Sequence, residues 1–465
     1  MKDKSIINNK NPLSAREVAL EILTRVEQDK SYSNLLLNQM LQKHSLERVD
    51  AGLVTEIVYG TIQHLNTIDY YLNRFVAKGV QKLEPWVRAL LRLSLYQVVY
   101  LERIPPHAIV NEAVNLAKKK GHQGISGMIN GVMRNVIRQK EQLAIPSDLP
   151  FVERIALQYS HPKWMVARWM KQFGEETTVR ICEANNTSPK TSARVNTMKH
   201  TQAEMLAILQ QESVEAKPSE LAPNGIIVEQ GGNLAYTRWF IDGSITIQDE
   251  SSMLVAEAVD PQPGMRVLDC CAAPGGKTTH LAEKMQDTGS VIASDIHEHK
   301  IALIRDQANR LKLRSIETVF CDALDLSKHY PAESFDCILL DAPCSGLGVI
   351  RRKPDLKWSK QELEISAITL VQNQLLNAVH VLLKPGGVLV YSTCTMEYTE
   401  NQGMIAQFLQ QHPQFTLETF PSKQLREIHP KSSTAGMLQI LPDQYGSDGF
   451  FIARMRKNGS KTNPK

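Results

Sequence analysis

Two cysteines in this chain stand where a nucleophile is useful. Cys344 lies in ILLDAPCSGLG and Cys394 in VLVYSTCT. Each follows a short apolar run that reads as a β-strand, so each thiol is expected at the edge of a parallel sheet. In open α/β sheets that edge is where ligands bind. A thiolate placed there can attack electron-poor carbon. The other cysteines are scattered and form no CxxC pair, so neither a disulfide framework nor a structural metal site is favoured. Cys270, Cys321 and Cys337 read as small core fillers. This cysteine usage suits a reducing cytoplasm.

A second feature is the loop VLDCCAAPGGKT, which places Cys271, Ala272, Ala273, Pro274, Gly275, Gly276 and Lys277 between a strand and a helix. Glycine permits close ligand approach, and the free N–H groups of a helix start suit a carboxylate or phosphate. A phosphate-cradling NTPase loop would need Gly where Cys271 stands, and a dinucleotide loop would need GxGxxG, which is absent. S-adenosylmethionine, whose amino-acid end carries a carboxylate, remains. Three acids close the following strands. Asp295 stands where an acid typically grips ribose hydroxyls, Asp322 could receive the adenine amino group, and Asp341 falls close to the methyl donor. An Asp after a strand also caps helices and turns, so the argument rests on their succession.

These residues need elements to position them. From about 246 the pattern alternates strand and helix, with strands at Arg266–Cys270, Ser290–Asp295, Ile316–Cys321, Phe335–Leu340 and Gly387–Tyr391. That rhythm predicts a parallel sheet with helices on both faces, a Rossmann-like α/β domain. Met437–Leu441 and Phe450–Met455 are expected to form an antiparallel hairpin at one edge. Residues 12 to about 140 read as helices throughout, an all-α bundle, followed by a Pro-containing linker over Ala144–Pro150. Between them lies a small α+β unit with strands near Ser192–Asn196, Ile226–Glu229 and Ser244–Ile247. The expected domains are 1–145, 151–245 and 246–456, with a disordered tail over 457–465.

The chain has 465 residues and a net charge of +4. Residues 1–150 carry 20 Lys and Arg against 14 Asp and Glu, so the basic excess sits in the helical part, compatible with nucleic-acid binding or with a solvated helical surface. No run of about 18 apolar residues is evident, and the polar start MKDKSIINNKNPLS does not read as a secretory signal. The expectation is a cytoplasmic protein, without membrane or metal, acting as a monomer.

The stretches DCCAAPGGKT, SDI at Asp295, CDA at Asp322, DAPCSGLG and STCT resemble, in order, the S-adenosylmethionine-dependent RNA cytosine-C5 methyltransferases of the Sun/Nol1/Nop2 family, in particular bacterial members acting on 16S ribosomal RNA. RVNTMK (Arg194–Lys199) is similar to the family's small RNA-recognition-like domain, and residues 12–140 are similar to the helical NusB fold. The resemblance implies that Cys394 adds to C6 of cytosine, making C5 reactive towards the methyl group, that Cys344 assists release of product, and that Asp341 helps position base and donor. It leaves the role of Lys277 open. DNA cytosine methyltransferases use the Pro-Cys thiol, here Cys344, as nucleophile, so the two readings assign the thiols oppositely.

RNA contacts are expected from Arg194 and Asn196 and from the basic stretch Arg351, Arg352, Lys353 and Lys357 beside Trp358, which suits backbone contacts and stacking. Asn130, Arg134 and Arg138 could form part of a basic helical face. Gln248–Ser252 is placed by the resemblance near the donor pocket, and also reads as a helix cap. A non-catalytic RNA-binding or antitermination factor and a small-molecule methyltransferase are the competing readings.

Overall fold

A computed structural model describes residues 13–29, 32–230, 233–428 and 433–459. Two compact units are present: one runs through Asn186 and takes in Lys353–Ser359, and the other holds Thr187–Arg352 and the chain from Lys360.

The first unit is helical. Its central helix, Pro85–Tyr100, is buried almost all round, from Val87 through Val98, as expected of a helix enclosed by others. Ala15–Asp29, Arg48–Gln63, Pro106–Lys120 and Gln123–Arg138 surround it and bury Leu20, Ile57, Ile109 and Val132 with it. The buried Arg92 is paired with Asp69 at 2.7 Å and Glu27 at 3.1 Å. As a compact unit it runs on through Asn186. Helices Phe151–Gln158, Lys163–Phe173 and Glu175–Ala184 belong to it, because Thr67 Oγ1 donates to the Leu157 carbonyl at 2.5 Å and Asn66 Nδ2 to that of Ala156 at 3.0 Å.

The second unit contains two sheets. The smaller has four antiparallel strands: β1 (Thr191–Val195), β2 (Glu215–Pro218), β3 (Gly225–Gln230) and β4 (Ile245–Ile247), in the order β2-β3-β1-β4. β2 escaped the sequence reading because it is an exposed edge strand without apolar alternation. The larger sheet comprises β5 (Arg266–Asp269), β6 (Ser290–Asp295), β7 (Ile316–Phe320), β8 (Phe335–Asp341), β9 (Leu383–Thr393), β10 (Phe415–Leu417), β11 (Ser433–Thr434), β12 (Met437–Ile440) and β13 (Phe450–Lys457). Its order is β11-β12-β13-β9-β8-β5-β6-β7, with β10 on β13. The five strands β5–β9 are parallel, and β13 joins β9 antiparallel. The expected β12–β13 hairpin is present. Lys457 still belongs to β13 and pairs with Phe415, so the expected tail cannot begin there; residues 460–465 lie outside the described residues.

Successive strand residues bury opposite faces. Val267, Val291, Leu339 and Val390 pack with helices Glu250–Val259 and Gly276–Lys284, whereas Leu268, Ile292, Leu340 and Leu389 pack with Glu362–Val379 and Gln402–Gln411. Burial on both faces explains the near-continuous apolar runs. The chain moves outward from β5 through β6 and β7, then returns to β8 on the other side. The crevice at the C-terminal ends of β5 and β8 is therefore the topological switch point. The stretch Glu362–Leu382, contrary to the sequence reading, is long and apolar enough by length and composition to cross a membrane. In the fold its Leu375, Leu376 and Val379 are buried in the sheet's core.

Lys357 is fully buried in the first unit, donating to the carbonyls of Gln63 (3.1 Å) and Ser160 (3.0 Å) and to Asn186 Oδ1 (2.7 Å). Burial pulls its pKa from 10.5 down to about 7. Between those values the unfolded chain binds the proton and the folded chain does not, so this group makes stability rise with pH. Chemical denaturation at pH 7 and pH 10 should show a smaller pH-dependent gain in Lys357→Met than in the native chain, and an unchanged gain would exclude this burial.

Candidate active site

β5 ends at Asp269, and the loop to helix Gly276–Lys284 turns through Gly275 at φ +104°, where a Cβ would stand 3.1 Å from Ile304 Cα. Only glycine meets both demands. The loop is tied to the neighbouring strand by Ala272 N–H to the Ser294 carbonyl (2.9 Å) and Ala273 N–H to Asp295 Oδ2 (3.3 Å). Above it lies a cavity of about 190 Å³ lined by Gln248, Ser252, Asp269, the stretch Cys271–Pro274, Gly276, Lys277 and Asp341. In the Gln248–Ser252 stretch Gln248 and Ser252 line the cavity, while Asp249 caps the helix through Ser251 N–H. Cys271 is among the residues lining the cavity.

Asp269 is a cavity residue that the sequence reading passed over. Thr278 Oγ1 donates to its Oδ2 at 2.7 Å, while Oδ1 is buried without a hydrogen bond of good geometry. Burial raises its pKa to about 7. A buried carboxyl lining a cavity at a helix N-terminus fits a ligand carrying both an ammonium and a carboxylate, as the amino-acid end of S-adenosylmethionine does. Its position as the last residue of an apolar strand was the available signal. Asp295 accepts from Ala273 and His297 N–H, and Asp322 caps the turn at Ala323–Asp325 through Leu324 N–H. These two acids stand along the sheet edge outside the cavity lining.

Asp341 ends β8 and is held from two sides. Lys277 Nζ lies 2.6 Å from its Oδ2, and Ser392 Oγ donates to Oδ1 at 2.7 Å. Burial works against the Lys277 charge, but the attraction and hydrogen bond of Asp341, with Cys394 and Asp269 adding to them, raise its pKa. Lys277 Nζ also lies 5.2 Å from the Phe450 ring centre. The structure therefore makes Lys277 the counter-ion of Asp341, and both line the cavity.

The two thiols meet here. β8 and β9 are paired in parallel with Asp341 opposite Ser392, so the loops leaving both strands start side by side. Cys344 Sγ and Cys394 Sγ are 3.4 Å apart, each partly exposed. Gly348 N–H donates to the Cys394 carbonyl at 3.0 Å, and Gly449 N–H to that of Gly348 at 2.8 Å. The hydrogen bond shared with Cys394 pushes the Cys344 pKa well up, and burial and the charges of Cys394, Glu400 and Asp341 act in the same direction. Two sulfurs this close do not both ionise. Cys270, Cys321 and Cys337 are buried core residues.

The expected RNA residues divide differently. Arg194 is a correction: it is buried, pairs with Glu283 at 2.9 Å, and donates to Gln248 and to the Gly276 carbonyl. It buttresses the first turn of the cavity's helix. Asn196 is likewise buried, bonding the Gly243 carbonyl and Met198 N–H. The alternation of β1 turns both side chains inward, a choice that RVNTMK alone does not reveal. Arg351 is buried on the carbonyls of Gly446 and Pro442, and Arg352 bridges Asp249 and Asp448. Lys357 is internal, and Trp358 Nε1 is committed to the Ile62 carbonyl. Lys353, Arg134 and Arg138 are exposed, and Asn130 is half-buried.

Comparison with known proteins assigns three modules, the middle one running across the boundary between the two units. Residues 256–456 match the family model of the 16S rRNA methyltransferase RsmB/F, residues 13–138 that of the NusB family, and residues 161–235 that of the ferredoxin-like domain of RsmF/B-like methyltransferases. The chain is 45% identical over 446 residues to the probable ribosomal RNA small subunit methyltransferase B of Bacillus subtilis (strain 168), covering 96% of this chain and 99% of that one. A protein of the same description from Synechocystis is 36% identical, over 96% of this chain and all of its own length. The crystal structure of PH0851 matches with a TM-score of 0.81 and 27% identity, over 96% of this chain and 99% of that one.

The buried Arg194–Glu283 pair generates a stability test. Arg194→Ala leaves a carboxylate buried without its partner and should lower the unfolding free energy by about 3 kcal/mol. The double change Arg194→Met with Glu283→Leu should recover most of that loss, as read from urea midpoints.

Proposed function

The chain belongs to the RsmB/F family of 16S rRNA methyltransferases, and on that premise we propose that it methylates carbon 5 of a cytosine in 16S rRNA, in the cytoplasm, through a covalent bond between Cys394 and carbon 6. The carrying observation is the pair of sulfurs 3.4 Å apart on the loops that leave β8 and β9, where Asp341, paired with Lys277, also lines the cavity.

The chemistry needs two thiol roles in sequence. Cys394 as thiolate forms a bond to C6, and the displaced π electrons make C5 nucleophilic. S-adenosylmethionine, when bound, supplies an electrophilic methyl group to that carbon. Water then takes the C5 proton, the electron pair it leaves re-forms the ring double bond, the C6–sulfur bond breaks, and Cys394 leaves as thiolate. Cys344, as the neutral partner 3.4 Å away, suits the releasing step: a neutral thiol is a poor nucleophile but can share its proton with the departing sulfur. Asp341, fixed by Lys277 and Ser392, hydrogen-bonds the pyrimidine edge. Asp269 and the loop Cys271–Lys277 hold the donor's amino-acid end. Asp295 and Asp322 follow on the next strands and take the ribose and adenine. The three modules divide the work, with the NusB-like helices and their exposed Arg134 and Arg138 contacting RNA.

Cys394→Ser should cut methyl transfer to undermethylated small-subunit RNA on the order of 10³-fold or more. Cys344→Ser should instead accumulate a protein–RNA adduct that survives a denaturing gel. The opposite pattern would make Cys344 the nucleophile, and nuclease digestion with mass spectrometry must find 5-methylcytosine in the native enzyme's product.

A further inference from the structure

The carboxylate of Glu400 lies where the two thiol loops meet, and the reaction as described leaves it unused. It is fully buried. Ser345 N–H and Gln372 Nε2 donate to its Oε2 at 2.8 and 3.0 Å, and Ser345 Oγ donates to Oε1 at 2.5 Å. Thr395 Oγ1 lies 3.2 Å from the same Oε1 and 2.8 Å from Ser345 Oγ. Ser345 directly follows Cys344, and Thr395 directly follows Cys394. A single carboxylate thus holds the residue next to each sulfur.

The surrounding bonds grip the same two places. Gln372 Nε2 also donates to the Pro343 carbonyl at 2.9 Å, on the other side of Cys344. Asn401 donates to the Thr395 carbonyl at 3.0 Å and accepts from Thr393 Oγ1 at 2.6 Å, spanning Cys394. Tyr391 OH fixes the Glu400 carbonyl at 2.7 Å. A carboxylate suits this place, since Oε2 accepts from two N–H groups and Oε1 from two hydroxyls; a glutamine must either turn its NH₂ towards the N–H donors or make the hydroxyls accept instead of donate. Burial raises the Glu400 pKa and the Ser345 bonds oppose that rise.

We propose that Glu400 is the positioning residue of the two-thiol site: by holding Ser345 and Thr395 on one carboxylate it sets the separation and direction of the Cys344 and Cys394 sulfurs, so that both serve one pyrimidine in turn. This rests on the thiol roles assigned above.

The test uses the full-length protein. Calorimetric titration with S-adenosylmethionine counts intact sites, and turnover is expressed per intact site. In Glu400→Gln, kcat should fall about 100-fold, the effect of misplacing reacting atoms by roughly an ångström. KM for RNA and donor affinity should stay within about threefold, and adduct formation in a Cys344→Ser background should slow in parallel. A kcat per site within about threefold of native overturns the proposal. If Glu400→Gln binds no donor, Thr395→Val decides: a kcat about tenfold lower at unchanged KM supports the assignment, and one within about twofold overturns it. Phenylarsine oxide, which bridges neighbouring thiols, gives a readout without RNA. It should join Cys344 and Cys394 in the native protein but not in Glu400→Gln. Equal bridging in both overturns the positioning role. Absence of 5-methylcytosine formation by the native protein counts against the thiol roles themselves and leaves the arsenical result to judge Glu400.

Discussion

Parallel pairing of β8 with β9 governs where both sulfurs can be. The register sets Asp341 opposite Ser392 and joins their side chains by a hydrogen bond. Three residues beyond Asp341 comes Cys344, and two beyond Ser392 comes Cys394. Starting from adjacent points, the two loops need only short turns to bring their sulfurs to 3.4 Å. A one-residue slip would send one loop's side chains to the opposite face. The apolar runs of both strands, buried on both faces, oppose that slip.

The strand order then brings the donor loop to the same place. β5 lies next to β8, and the reversal of chain direction at that pair opens a crevice in the sheet edge. Lys277, at the start of the helix after β5, reaches Asp341 at the end of β8. This ion pair joins the loop after β5 to the strand whose following loop carries Cys344, and both of its residues line the cavity. Arg194 supports the arrangement from the small sheet, capping the Gly276 carbonyl and pairing with Glu283 on the same helix. The small sheet thereby contributes to the geometry of the methyl-transfer site.

The basic stretch after Cys344 illustrates how charge is reused. Its Arg351 and Arg352 saturate carbonyls and carboxylates within the second unit, and Lys357 is enclosed in the first. Cations read as a solvent-facing RNA contact are mostly internal fasteners. Exposed positive charge remains at Lys353 and along the helix bearing Arg134 and Arg138. Both kinds of lysine and arginine look alike in a sequence, because burial is decided by elements far away in the chain.

The sequence by itself determined the strands of the methyl-transfer sheet, the glycine loop, the acids that follow it and the two strand-end cysteines. Each is a local consequence of apolar runs, turn residues and spacing, and the order of these signals resembles one family closely. Tertiary structure alone decided that the sulfurs touch, that Asp269 is a buried carboxyl lining the cavity, that Lys277 answers Asp341, and that Glu400 joins the residues after both thiols. It also decided that Arg194 and Asn196 face inward, and that the helices over 151–184 belong with the bundle. All of these are contacts between residues far apart along the chain. Local propensity is silent about them, since their partners are chosen by strand register and the packing of distant elements.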